Sequence, residues 1–167
     1  MEDMILVLGL GNPLRGDDGV GLVVLEQLKS CELPAGTTLV DGGTRGLDLT
    51  LEFEGKARAI LIDAAHFRGT GGEFRRFDLL SAKSLPINWA ALHAQGIGAA
   101  IELAGALGTL PKQLILFAIE PQSIVESQRL SAAVEQAVPK VVRAVCDELT
   151  CMAYGKAQDS RRFAPMT

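Results

Sequence analysis

The chain has 167 residues, 48% of them hydrophobic and 22% charged, the make-up of one ordinary globular domain with enough apolar side chains for a full core. Its net charge of -4 supplies no basic stripe to release counterions from a nucleic acid, which argues against that class of partner. No apolar run approaches the roughly 18 residues of a membrane span. Met1-Glu-Asp-Met4 carries acid and no basic n-region, so neither signal peptide nor membrane contact is expected and the location expected is cytoplasmic. Cys31, Cys146 and Cys151 are odd in number and form no C-x-x-C pair, which fits reduced thiols.

The elements follow in alternation. An apolar run, Met4 to Leu8, predicts a first buried strand, and a glycine-rich turn then leads into a helix over Asp17 to Ser30. Pro34-Ala-Gly36 makes a turn, and Thr37 to Val40 reads as a second strand ending in Asp41-Gly-Gly-Thr44. Gly46 to Phe53 reads as a short helix with Leu47 and Leu51 on one face, closed by Gly55. A third strand, Ala57 to Ile62, delivers Asp63 at its carboxyl end. Beyond the loop Arg68 to Gly72, the alternating run Glu73 to Phe77 suits an edge strand.

Leu79 to Trp89 has no clean period and contains Pro86, so a loop is expected there, and the 79–92 stretch is a candidate for substrate contact. Leu92 to Leu107 is helix-periodic, with His93 in its first turn, and Gln113 to Ile119 is a fifth strand ending at Glu120-Pro121. Leu130, Val134, Val138, Val141, Val145 and Leu149 then recur at helical spacing, with Pro139 expected to kink or divide the helix. The reading is a single α/β domain over 1–154 followed by a polar tail over 155–167. Its twisted, mostly parallel five-stranded sheet has one antiparallel edge strand and helices on both faces.

Ligands in such sheets bind beyond the carboxyl ends of the strands. That edge gathers Asp17 and Asp18 after strand one, Asp41 after strand two, Asp63 after strand three and Glu120 after strand five, with His93 facing the same rim. Phosphate is a poor fit for the first turn. The third glycine of a dinucleotide fingerprint would fall on Leu14, and Asp17-Asp18 stand where a Walker loop needs Lys and Ser or Thr. Two carboxylates suit a cation or a proton instead. One Asp alone would read as a helix N-cap, but two adjacent ones share only one cap position. Asp41 before Gly-Gly is an ordinary turn residue, and His66, three residues after Asp63, competes with His93 for any metal role. Two histidines without a cysteine cluster do not make a structural zinc site, and there is no G-x-S-x-G elbow.

Several motifs in order carry a resemblance: Gly9-Leu-Gly-Asn12, Asp17-Asp-Gly-Val-Gly21, Asp41-Gly-Gly-Thr44, Leu61-Ile-Asp-Ala64, His93 followed by Gly96 and Gly98, and Ile119-Glu-Pro121. From about Met4 to Leu149 the chain resembles the hydrogenase maturation endopeptidases, which trim a C-terminal extension from the large subunit of nickel-iron hydrogenases once nickel is in place. The resemblance implies Asp18, Asp63 and His93 as both the metal-binding and the catalytic residues, with Asp17 left to capping and Asp41-Gly-Gly shaping the cleft floor. It implies nickel supplied by the hydrogenase large-subunit precursor, held weakly or not at all by the free enzyme, which is expected to be a monomer. Two other functions stay open: a non-catalytic, nickel-dependent checkpoint module for the precursor, and a small-molecule hydrolase with its own tightly held metal.

Overall fold

In the computed structural model, which describes residues 4–81 and 96–155, the strands are β1 (Ile5–Leu10), β2 (Thr37–Gly43), β3 (Arg58–Ala64), β4 (Phe74–Asp78) and β5 (Gln113–Ile119). Apart from Arg58 and Gln113, every residue of β1, β3 and β5 is buried. That is what a strand sandwiched between two helical layers requires. They form one sheet in the order β2-β1-β3-β5-β4, parallel throughout except for β4, which runs antiparallel to β5 at the edge. The expected fold class is what is observed.

Side-chain alternation divides the core. Ile5, Val7, Ile60, Ile62, Ile115 and Phe117 pack against the helices α1 (Val20–Leu28) and α3 (Ala132–Tyr154). On the other face Leu6, Leu8, Leu61 and Leu116 meet Leu49 and Phe53 of the Gly46–Phe53 segment and Ile97, Ala100 and Ala104 of α2 (Ile97–Leu107). Val134, Val138, Val141, Val145 and Leu149 are buried, each at about 1.5–3 kcal/mol relative to exposure, so the stripe read from the sequence is the face that holds α3 on the sheet. A bidentate pair, Arg76 to Glu148 at 2.7 and 2.9 Å, also ties the edge strand to α3.

Four local expectations change. The first helix divides into a 3-10 turn, Gly16–Gly19, and then α1, which ends at Leu28. Gly46–Phe53 is 3-10 rather than α-helical, and at three residues per turn Thr50 and Phe53 align inward while Leu47 and Leu51 face solvent. α2 starts at Ile97 instead of Leu92, because Gly96 precedes it in the left-handed region at φ 82°. Pro139 does not divide α3. Proline and the residue four before it, Glu135, are both on the exposed side, where water can satisfy the carbonyl that loses its bond. His93, most of the 79–92 stretch and most of the tail lie outside the described residues. No described helix is long and apolar enough to cross a membrane.

Candidate active site

The carboxyl edge of the sheet brings four of the five sequence-predicted acids into buried positions, but in three different chemical situations. Asp63 belongs to β3 itself, its Cα in register with Ala118 of β5. Alternation places it on the face of Ala59 and Leu61, an otherwise apolar layer. Its side chain is fully buried, and among the described residues neither carboxyl oxygen has a hydrogen-bond partner. Burial first, and then the negative charge of Asp18, push Asp63 well above the usual carboxyl range. The nearby Ala64 N–H, which does not meet hydrogen-bond geometry, opposes them more weakly.

Asp18 arrives from the turn after β1 and is also buried. It does not cap α1; its Oδ2 accepts the Asn12 N–H at 2.9 Å. Gly11 joins the two acids, with φ 115° and an approach so close that a Cβ there would collide with the Asp18 carbonyl. The same Cβ would stand 3.6 Å from Asp63 Oδ1. Only glycine fits that position without displacing one carboxylate from the other.

Asp17 behaves quite differently. The capping role implied by the resemblance is not what it does: it makes no cap bond to its own helix and instead reaches residues more than one hundred positions away. Oδ2 accepts the Gln122 and Ser123 N–H groups and the Ser131 hydroxyl, each at 2.8 Å, while Oδ1 accepts the Ser131 N–H at 2.7 Å. One buried carboxylate thus pins the whole β5–α3 loop to the first turn, supported by the Gly16 N–H to Ser127 carbonyl bond at 2.8 Å. No local signal could reveal this, because an Asp beside a helix start looks the same whichever distant amides it binds.

Glu120 is a third case. Its Oε2 accepts the Phe67 and Gly69 N–H groups at 2.8 and 3.0 Å, and His66 Nδ1 lies 2.8 Å from Oε1. Burial pushes this carboxyl up, but the Phe67 N–H, the His66 ring and the Gly69 N–H together bring it below the usual range. Asp41 is exposed at the end of β2, where its backbone carbonyl accepts from the Arg45 guanidinium at 3.1 Å, so it stands apart from the buried acids. Gly42 beside it is buried against Leu10 and Leu49. Among the described residues no three His, Cys, Asp or Glu side chains gather into a metal site, and His66 is joined to Glu120 rather than to the Asp18–Asp63 pair.

Comparison with known proteins places this geometry in a family. Residues 22–148 match the family model described as hydrogenase maturation protease. The chain is 32% identical to the hydrogenase expression/formation protein HupD of Bradyrhizobium diazoefficiens over 99% of its own length and 86% of that protein's. Its fold superposes on the hydrogenase maturating endopeptidase HybD from Escherichia coli with a TM-score of 0.76 at 26% identity, covering 88% of this chain and 92% of that one. A solution structure of an endopeptidase from Escherichia coli gives a TM-score of 0.81, also at 26% identity, over 90% and 94%. With more than half of its residues inside the matched region and a relative 32% identical over nearly its full length, the chain belongs to the hydrogenase maturation protease family.

Proposed function

We propose that this protein is the endopeptidase that removes the C-terminal extension of a nickel-loaded hydrogenase large-subunit precursor, recognising the nickel of that substrate through Asp18, Asp63 and His93. The observation that carries the reading is Asp63, a fully buried carboxyl with neither oxygen bonded among the described residues, facing a second buried acid. An unbonded buried polar group costs about 1–3 kcal/mol, and a like charge beside it adds repulsion. The fold gains nothing from that arrangement, whereas a site that must receive a cation does.

A precursor that brings a divalent cation to this rim relieves both penalties at once, and one without the cation leaves the two acids repelling each other. Oxygen donors with an imidazole suit a borderline divalent ion held in a shared, open set of ligands. One carboxylate then takes the proton of the water that attacks the scissile carbonyl, a contribution of about 10²–10⁴ in rate. Nickel is cargo of the substrate in this scheme, so the free enzyme needs no resident metal.

The test is to incubate the purified chain with a large-subunit precursor, with and without nickel, and weigh the subunit by mass spectrometry. Loss of a C-terminal peptide in the nickel-loaded sample alone is the expected result. An unchanged mass in a complex that nevertheless forms would replace the peptidase with the checkpoint module.

A further inference from the structure

Glu120 and His66 form a built unit that the scheme above does not use. The Glu120 carboxylate is buried, and its two amide bonds from Phe67 and Gly69 already fix it in place. His66 adds nothing that this clamp needs. The ring gains from the clamp instead: with Nδ1 committed to Oε1 at 2.8 Å, its tautomer and direction are set, while 62% of the side chain stays exposed. Proton exchange is left to Nε2, on the open side. A carboxylate that orients an imidazole in this way is the general arrangement by which a histidine is made ready to move a proton.

Its position puts it at the same rim. His66 lies three residues beyond Asp63, so their Cα atoms are at most about 11 Å apart, short enough for an Asp and a His side chain to reach the two sides of one peptide bond. Glu120 leaves β5 two residues after Ala118, the partner of Asp63, and the Ala65 N–H to Ile119 carbonyl bond carries the pairing up to His66. The Glu120–Ser123 segment is then held at one end by the His66 to Gly69 turn and at the other by Asp17, the neighbour of Asp18. Around the pair, Glu73 is the nearby acid, and it is occupied by the Arg75 guanidinium and the Thr70 N–H. An isolated surface ion pair is worth about 0–1 kcal/mol, too little for stability to account for this construction.

We infer that His66, aimed by Glu120, is a further catalytic residue of this site, the one that protonates the amine leaving the cleaved bond. The inference rests on the peptidase reading. Water oxygen bonds to the scissile carbonyl carbon, and the water proton passes to the Asp18–Asp63 pair. As the C–N bond breaks, its electrons stay on nitrogen, which takes the Nε2 proton of the doubly protonated His66 ring and leaves a neutral imidazole with its Nδ1–H still on Glu120. Solvent restores that proton to the exposed ring and removes the one on the carboxylates, so peptide and water become acid and amine with nothing left over.

The experiment compares the full-length wild type with His66→Ala and Asp63→Ala on nickel-loaded precursor, following the shortened subunit by mass spectrometry with and without added imidazole. His66→Ala is expected to lose about 10²-fold or more in kcat with KM little changed, and to regain part of that loss in free imidazole. Asp63→Ala is expected to show no such rescue. An undiminished kcat in His66→Ala overturns the inference, and so does a loss that imidazole does not restore. A wild type that leaves the precursor uncut overturns the peptidase reading itself, whereas a wild type that cuts beside an unimpaired His66→Ala overturns only the role of His66.

Discussion

Asp17 and Asp18 are adjacent in the chain, and both are buried, yet they belong to opposite kinds of region. Around Asp17 everything is satisfied: one carboxylate receives four hydrogen bonds and ties the β5–α3 loop to the first turn. Around Asp18 and Asp63 the demand for donors is not met, since among the described residues the second of these acids has no partner and is pressed by the charge of the first. Burial alone therefore does not give an acid its character. What sets Asp17 apart from Asp63 is whether the donors that burial demands are present.

If that contrast is right, the largest effect belongs to the unsatisfied side. Asp63→Ala should lower the rate of precursor cleavage by about 10³-fold, read by mass spectrometry, while its urea midpoint stays level or rises because an unbonded buried carboxyl has been removed. A protein that unfolds instead would move Asp63 to the structural class. Gly11→Ala should come next, since a methyl group there strikes the Asp18 carbonyl in a backbone conformation that alanine resists. Activity should fall by about 10²-fold through displaced carboxylates, well beyond what loss of folded protein explains in a thermal melt.

On the satisfied side, Asp17→Ala should cost about 3–5 kcal/mol in urea unfolding, because it leaves amide and hydroxyl donors without their charged acceptor. A cost below about 1 kcal/mol would mean that water replaces the carboxylate easily.

The smallest and sharpest comparison is in pH. Asp63 is raised above its ordinary value of 3.8, so the folded state holds that proton more tightly than the unfolded chain does. Its contribution is fully present below the unfolded value and is lost as pH rises through the folded one. Glu120 is lowered from 4.5, so its contribution is present above that value and is lost as pH falls through the folded one. Subtracting the stability curve of Asp63→Asn from that of the wild type should leave a difference that declines with rising pH above about 4. A flat difference would show that Asp63 is not perturbed.

The sequence by itself determined the order of elements, the parallel sheet with its antiparallel edge, and the buried stripe of α3, because these follow from periodicity and from the location of glycine and proline. It also put Asp17, Asp18, Asp41, Asp63 and Glu120 at one edge, with His93, which lies outside the described residues, expected beside them, since residues at strand ends are brought together by any parallel sheet. Motif order was enough for the family. Tertiary structure alone decided which acid has which role, as the partners of Asp17 are more than one hundred residues away and those of Glu120 more than fifty. It also turned Leu47 and Leu51 outward in a 3-10 segment whose Phe53 packs on the sheet and whose Thr50 hydroxyl bonds the Leu47 carbonyl and approaches the Ala100 carbonyl of α2. A pattern in one stretch of chain records what that stretch can bury, whereas a carboxylate takes its character from whichever distant donors the fold brings to it or withholds.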